Sequence, residues 1–389
     1  MNQSNRAGRY ISSTVAGEKY KAFVPSPLPP DPPIKLDAGH LELMEQANWA
    51  LGRLDGLTAL LPDTSLFIYF YIRKEAVLSS QIEGTQSSLA DLLLFESEEV
   101  PGVPINDVTE VSNYVAAMNY GLKRLHEGFP LSLRLIKEIH EVLLSRGRGS
   151  NKTPGEFRRS QNWIGGTRPG NAMFVPPPPE MVMECMGEFE KFLHKGQIPL
   201  LTKSALAHVQ FETIHPFLDG NGRLGRLLIT FLMCAGGALK EPMLYLSLFF
   251  KTNREKYYDL LQKVRLEGDW EGWLRFFLTG VNETAEQAVS TARAVLGLFE
   301  KDRQLIEGLG RQASSALRIH QLLQKNPILS ITRAAQAANM TYPTVATAFS
   351  NLQKLGIVRE TTGKERHRLF VYDKYVKILS EGAEPLKED

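Results

Sequence analysis

Twelve consecutive residues, His215-Pro216-Phe217-Leu218-Asp219-Gly220-Asn221-Gly222-Arg223-Leu224-Gly225-Arg226, carry a base, a carboxylate, a glycine-rich turn and two arginines. Glycine at 220 and 222 lets the backbone turn tightly and come close to a ligand. The apolar run Leu227-Leu228-Ile229-Thr230-Phe231-Leu232-Met233 that follows predicts a helix, so amides around Asn221 would meet phosphate oxygens at its positive end. Arg223 and Arg226 stand three apart, share a helix face and can fork onto one polyphosphate. Asp219 is a hard oxygen ligand of the sort Mg²⁺ uses alongside substrate phosphates. Histidine is the side chain whose unperturbed pKa lies near neutrality, so His215 is placed to take a proton from an incoming hydroxyl. A His before Pro also reads as a helix-end residue and Gly-Asn-Gly as a plain turn; the combination is what points to attack on a nucleotide phosphate.

The segment resembles the signature of the Fic family, His-x-Phe-x-Asp/Glu-Gly-Asn-Gly-Arg-x-x-Arg, without a departure. The resemblance implies an adenylyltransferase that moves AMP from ATP to a Tyr, Thr or Ser hydroxyl of a protein, or of itself, and releases pyrophosphate. It makes His215 the general base, Phe217 the anchor of the loop and Asp219 the holder of Mg²⁺. ATP would lie against His215 and the stretch Gly220, Asn221, Gly222, Arg223, Leu224, Gly225 and Arg226, with the two arginines reaching the β- and γ-phosphates. A related subfamily that transfers phosphate replaces the second glycine and first arginine of this passage; Gly222 and Arg223 stand here, which favours AMP.

Far upstream, Ser79-Ser80-Gln81-Ile82-Glu83-Gly84 closes an apolar run that begins near Leu66. Ser79 and Glu83, four apart, share a helix face, and Gly84 reads as the helix end. Alone, Glu83 reads as a solvated glutamate on an ordinary surface helix. Beside the downstream signature the passage resembles the Fic inhibitory motif, Ser/Thr-x-x-x-Glu-Gly/Asn, in the class that carries it N-terminal to the core. The resemblance implies that Glu83 pairs with Arg226 and takes the place of the γ-phosphate; the reverse reaction, removal of AMP from the target, stays open.

Residues 162–175, with Gly165, Gly166, Thr167, Met173, Phe174 and Val175, read as a β-hairpin between glycine and proline punctuation. A plain surface hairpin is one reading; the resemblance makes it the flap that docks an extended target segment by strand addition. Pro154-Gly155-Glu156-Phe157-Arg158 resembles the family's approach to that flap. Asn253 predicts an N-cap for a helix running through Tyr258; the resemblance adds that Asn253 and Tyr258 border the adenine and ribose.

At 389 residues the chain exceeds one core. Helical periodicity predicts a mainly α fold: an N-terminal helical subdomain (1–105), a Fic-type helical core with its hairpin flap (106–307), a winged-helix module (308–380) and a tail (381–389). A net charge of +2 excludes a protein basic throughout. Cys185 and Cys234 offer neither a disulfide framework nor metal spacing. No signal-like apolar N-terminus or membrane-length apolar run is present, which leads us to expect a cytoplasmic protein without membrane contact.

The last segment has the order helix, helix, helix, hairpin, with helices over 314–324, 331–338 and 342–355 and strands over 357–360 and 368–372 around Gly363. Eleven cations between Arg311 and Lys377 face three carboxylates. Thr341, Tyr342, Thr344 and Thr347 stand at the start of the third helix, where a major-groove reader presents its contacts. Duplex DNA through 311–377 is thus a candidate partner, as is another protein or a second copy of this chain. A DNA-binding regulator whose core only senses nucleotide, and a metal hydrolase using His208, His215 and Asp219, are the competing functions.

Overall fold

The structure is a computed structural model that describes residues 6–15, 17–58, 64–96, 104–362 and 368–385. Residues 363–367 of the proposed wing, the last four residues, and 101–103 of the proposed boundary near 101–106 lie outside the described residues.

The chain opens with a feature the sequence analysis did not place. Strands β1 (Gly8–Val15) and β2 (Glu18–Pro25) pair antiparallel, Gly8 opposite Pro25. Then come α1 (Ala38–Thr58), α2 (Thr64–Ile82) and α3 (Leu89–Glu96). Gly84 takes a φ of +100°, which suits glycine and marks where α2 stops.

The central layer contains α4 (Ile105–His126), α5 (Leu133–Leu143), α6 (Pro179–His194), α7 (Leu200–Ile214) and α8 (Asn221–Ala235). Ser132 caps α5 by accepting from the Leu135 amide. Every residue of α7 from Leu201 to Ile214 except Lys203 is buried, as expected of a helix packed on all sides. Helix α7 packs on α8, and the twelve-residue signature forms the turn between them, 215–220, and the first six residues of α8.

Helices α9 (Ser247–Thr252) and α10 (Arg254–Glu267) lead into α11 (Trp270–Glu307), capped by Asp269 onto the Gly272 amide. Trp270, Trp273, Leu274, Phe277, Val281, Ala285, Ala288 and Ala292 repeat at three- and four-residue spacing and are all buried, so one stripe of this helix faces the core for most of its length. It continues to Glu307 because Phe299, Asp302 and Ile306 extend the stripe against the C-terminal module.

That module comprises α12 (Ala313–Lys325), β3 (Ile328–Ser330), α13 (Ile331–Ala338), α14 (Tyr342–Lys354), β4 (Arg359–Glu360), β5 (Leu369–Val371) and α15 (Asp373–Ser380). Its antiparallel sheet has the order β3-β5-β4. The three helices and two strands read from the sequence are present; β3 and α15 are additions. Tyr372 donates to Asp302 on α11, and Tyr375 sits edge-on to Phe70 of α2 at 5.2 Å.

Candidate active site

Helix α7 ends because His215 turns left-handed, with φ 48°, a conformation that costs a non-glycine residue about 1–2 kcal/mol and clusters at functional sites. Gly220, at φ +75°, begins α8. The loop between is fixed from four sides. Phe217 is fully buried and stacks on His140 with ring centres 3.7 Å apart. Asn221 accepts from the Phe217 amide and donates to its carbonyl, both at 2.9 Å. Arg158 donates to the His215 carbonyl at 2.9 Å and to Pro177, tying the loop to the end of the flap. The Gly155 amide donates to His140 Nδ1 at 2.9 Å, which leaves His140 Nε2–H to donate to the Asp219 carbonyl at 3.0 Å.

Burial, with Arg158 and Arg265 nearby, pushes the His215 pKa down to about 3. The imidazole is therefore neutral at physiological pH, the state a general base requires. Its Nδ1 is buried without a partner among the described residues.

The two signature arginines diverge. Arg226, buried, donates through Nε to Ser79 Oγ at 2.8 Å and through Nη2 to the Ser79 carbonyl at 2.9 Å and to Glu83 Oε1 at 2.7 Å. Although burial opposes ionisation of Glu83, Arg226 outweighs it and the carboxyl titrates below its ordinary value. A Cβ on Gly222 would stand 2.2 Å from Glu83 Oε1, so the carboxylate lies directly on the first turn of α8. Arg223 donates to Glu110 Oε2 at 3.2 Å and approaches Asp219 Oδ1 at 3.5 Å. The shared arginine face expected from their spacing is thus divided between Glu83, in the turn after α2, and Glu110 of α4.

Asp219 Oδ1 accepts from the Gly220 amide at 2.6 Å, and its side chain keeps 28% of its surface. Among the described residues no group of three or more His, Cys, Asp or Glu side chains could hold a metal ion by itself. A cation here would rest on Asp219 and on phosphate oxygens brought with the substrate, which fits Mg²⁺. His208 does not join it: Nδ1 faces the Gly225 carbonyl at 3.1 Å and Nε2 the Tyr257 hydroxyl at 2.8 Å. Both nitrogens being spent, the three-ligand hydrolase site does not form.

Several expectations are corrected. The Asn221 side chain is consumed by the loop, so only backbone around it is offered to a ligand. Asn253 precedes α10, but its side chain caps nothing there; it donates back to Phe249 at 3.0 Å and finishes α9. Tyr258 is 40% exposed, and its hydroxyl is raised to about 12 by burial and by Glu83, which puts it beside the site. The flap contracts to a single bridge, Ile164 opposite Phe174, because Gly165 and Gly166 both adopt positive φ and Asn171 Oδ1 gathers the Thr167 and Arg168 amides into a tight turn. Gly165, Gly166, Thr167 and Met173 are exposed, whereas Phe174 and Val175 are buried. Phe174 lies 4.0 Å from the Arg265 guanidinium, and the Val175 carbonyl is taken by the Phe23 amide.

Glu110, His140, Arg265 and Glu212 went unmarked by sequence reasoning. They come from α4, α5, α10 and α7, where each reads as one polar position in an amphipathic or buried helix.

Comparison with known proteins agrees with this geometry. The chain matches the Fic/DOC family N-terminal region over residues 41–123, the Fic/DOC family over 130–233 and a winged helix-turn-helix DNA-binding domain over 314–359. Residues 41–123 and 130–233 are thus similar to the two regions of the Fic/DOC family. Among curated proteins it is similar to the protein adenylyltransferase Fic of Aedes aegypti, 31% identical over 73% of this chain and 57% of that one. The protein of the same name from Drosophila ananassae is 31% identical over 64% and 48%. The chain thus spans about half the length of the curated relatives it matches. In fold it resembles a Fic family protein from Desulfovibrio desulfuricans G20, TM-score 0.59 and 19% identity, over 87% of this chain and 97% of that one. Fic-1 from C. elegans gives 0.50 and 22%, over 66% and 73%. No helix among the described residues is long and apolar enough to cross a membrane.

Proposed function

We propose that the chain is an autoinhibited protein adenylyltransferase. It would transfer AMP from ATP to a Tyr, Thr or Ser hydroxyl of a target protein, and of itself, in the cytoplasm. The observation that carries the reading is the Glu83–Arg226 pair at 2.7 Å across the first turn of α8, one loop away from a neutral His215. His215 takes the acceptor's proton, the freed oxygen bonds to the α-phosphorus, and the bond from that phosphorus to the bridging oxygen breaks, so pyrophosphate leaves with the bond's electrons. Backbone amides at 220–222 and the two arginines stabilise the charge that builds on the phosphates. Mg²⁺ on Asp219, when bound with ATP, neutralises phosphate charge. With Glu83 on Arg226, the γ-phosphate has no free guanidinium to meet. The exposed part of the flap, Gly165 to Thr167 with Met173, would receive the target segment. A Glu83→Gly variant given radiolabelled ATP tests the reading: a core that only senses nucleotide would bind ATP and label nothing.

The C-terminal module supports a second role, engagement of duplex DNA. Thr341, Tyr342, Thr344 and Thr347 at the head of α14 are exposed, in a segment similar to DNA-binding winged helices. Gel-shift titration of the full chain with duplex DNA tests it.

A further inference from the structure

The turn that carries Glu83 is buried under more polar atoms than it satisfies. Ser80 Oγ, Gln81 Oε1, Thr85 Oγ1 and Ser87 Oγ are buried without a hydrogen-bond partner among the described residues, and so is Lys74 Nζ of α2, which lies over the Tyr245 ring. Unpaired buried groups are costly, so the turn depends on whatever else holds it. What holds it is the stretch after α15. Ala383 is 1% exposed, and its carbonyl accepts from Gln81 Nε2 at 3.0 Å, the same amide that reaches the Ser87 carbonyl at 2.8 Å. Lys251, on α9, donates to the Gly382 carbonyl at 3.2 Å and to the Glu384 carbonyl. Glu381 and Glu384 face Lys74 closely enough to counter the burial that lowers its ammonium to about 8. Gly382 has φ +76°, and a Cβ there would meet Leu248 Cδ1 at 2.8 Å, so only glycine follows this path without strain. Gln81 stands two residues before Glu83, inside a turn closed by Glu83 and Thr85 amides donating to the Ser80 carbonyl.

The geometry points to a binding site for an acidic peptide at the end of α2, built from Lys74, Gln81 and Lys251 and filled by the chain's own Glu381–Pro385, which keeps Glu83 on Arg226. The site deepens the autoinhibited reading and rests on it. Because α15 joins β5 directly to this stretch, the winged-helix module has a short mechanical route to the inhibitory glutamate. A ligand that draws α15 away would also draw out the peptide and loosen the turn. Autoinhibition would then answer to the occupancy of a module lying outside the nucleotide site.

The test uses the full chain with Gly382→Val, which obstructs the path beside Leu248, and separately Lys251→Met, which removes the ammonium and keeps the bulk. Amide hydrogen exchange over residues 79–87 should quicken about tenfold or more in both, with α7 unchanged, and AMP transfer should rise with it. If Gly382→Val also loosens α7, it has damaged the fold and Lys251→Met decides. Unchanged exchange at 79–87 overturns the site; quickened exchange with wild-type transfer overturns its link to Glu83. Glu83→Gly run in parallel separates the failures. If that variant transfers no faster than wild type, the inhibitory reading falls, while the exchange data still decide the peptide site.

Discussion

Arg226 Nη2 donates to Glu83 Oε1 across 143 residues of sequence, and the same oxygen lies 2.2 Å from where a side chain on residue 222 would begin. One carboxylate therefore blocks both parts of a phosphate cradle, the guanidinium and the backbone beside it. A substituent at 222 would collide with the inhibitor and, in its absence, fill the space the phosphates need. Glycine there keeps the site open to either anion.

Glu83→Gly is expected to raise AMP transfer and self-labelling. A charged hydrogen bond to arginine contributes about 1.5–3 kcal/mol and each 1.4 kcal/mol is a factor of ten, so the gain should lie between about tenfold and a hundredfold. Glu83 keeps 35% of its side-chain surface, and solvent screening places the effect toward the lower end. Arg226→Ala should not reproduce it, since that change removes the lock and the γ-phosphate contact together. Equal rates for wild type and Glu83→Gly across a range of ATP concentrations would return Glu83 to an ordinary surface residue.

His215→Ala should abolish transfer while ATP still binds, because the base acts on the acceptor and the cradle survives its loss. The pKa of about 3 adds a sharper expectation. With the ring already neutral, transfer by the Glu83→Gly protein should show no inflection near pH 6.5. An inflection there in its pH–rate profile would contradict the burial argument.

The signature loop was legible because its chemistry is local: base, carboxylate, glycines and arginines lie within twelve residues and turn type follows from residue type. Glu83 was legible only beside that loop, since nothing within α2 distinguishes an inhibitory carboxylate from a solvated one. His140, Arg265 and Glu110 were not legible, because their partners are backbone carbonyls, amides or side chains brought together by tertiary packing. His140 stacks on Phe217 from 77 positions upstream, inside what reads as a plain amphipathic helix. The β1–β2 hairpin escaped for a different reason: Ala22, Phe23 and Val24 are consecutive buried residues, so β2 lacks the alternation that identifies a half-buried strand. The flap was overread, because Gly165 and Gly166 promise a turn without saying how few residues pair across it.

Glu212 predicts a pH dependence of stability. It is buried three residues before His215 with Oε1 unpartnered among the described residues, and burial pushes its pKa up to about 7 despite the pull of Arg226. Unfolded, it would titrate near about 4.3. The folded chain holds the proton more tightly, so its contribution to stability is complete below about pH 4.3 and is lost as pH rises through about 7. The melting temperature should fall across that window, and Glu212→Gln, neutral at every pH, should flatten the fall. Glu75, also pushed to about 7, preserves part of the slope. A Gln variant with the wild-type slope would show that Glu212 is ionised in the fold.

Salt dependence decides what the C-terminal module meets. Each phosphate neutralised by a protein cation releases condensed counterions, so the logarithm of duplex affinity should fall against the logarithm of salt with a slope of roughly 0.9 per contact. Arg359 is already held by Asp373 at 2.6 and 3.0 Å, and Arg359→Ala should change the slope little. Thr344, exposed at the head of α14, lies where a recognition helix approaches base edges. Thr344→Glu should weaken binding strongly by setting a carboxylate into the anionic groove. Gel shifts of the full chain at low and moderate salt make the measurement. Absence of binding even at low salt would remove DNA as the partner and leave a protein surface as the reading of this module.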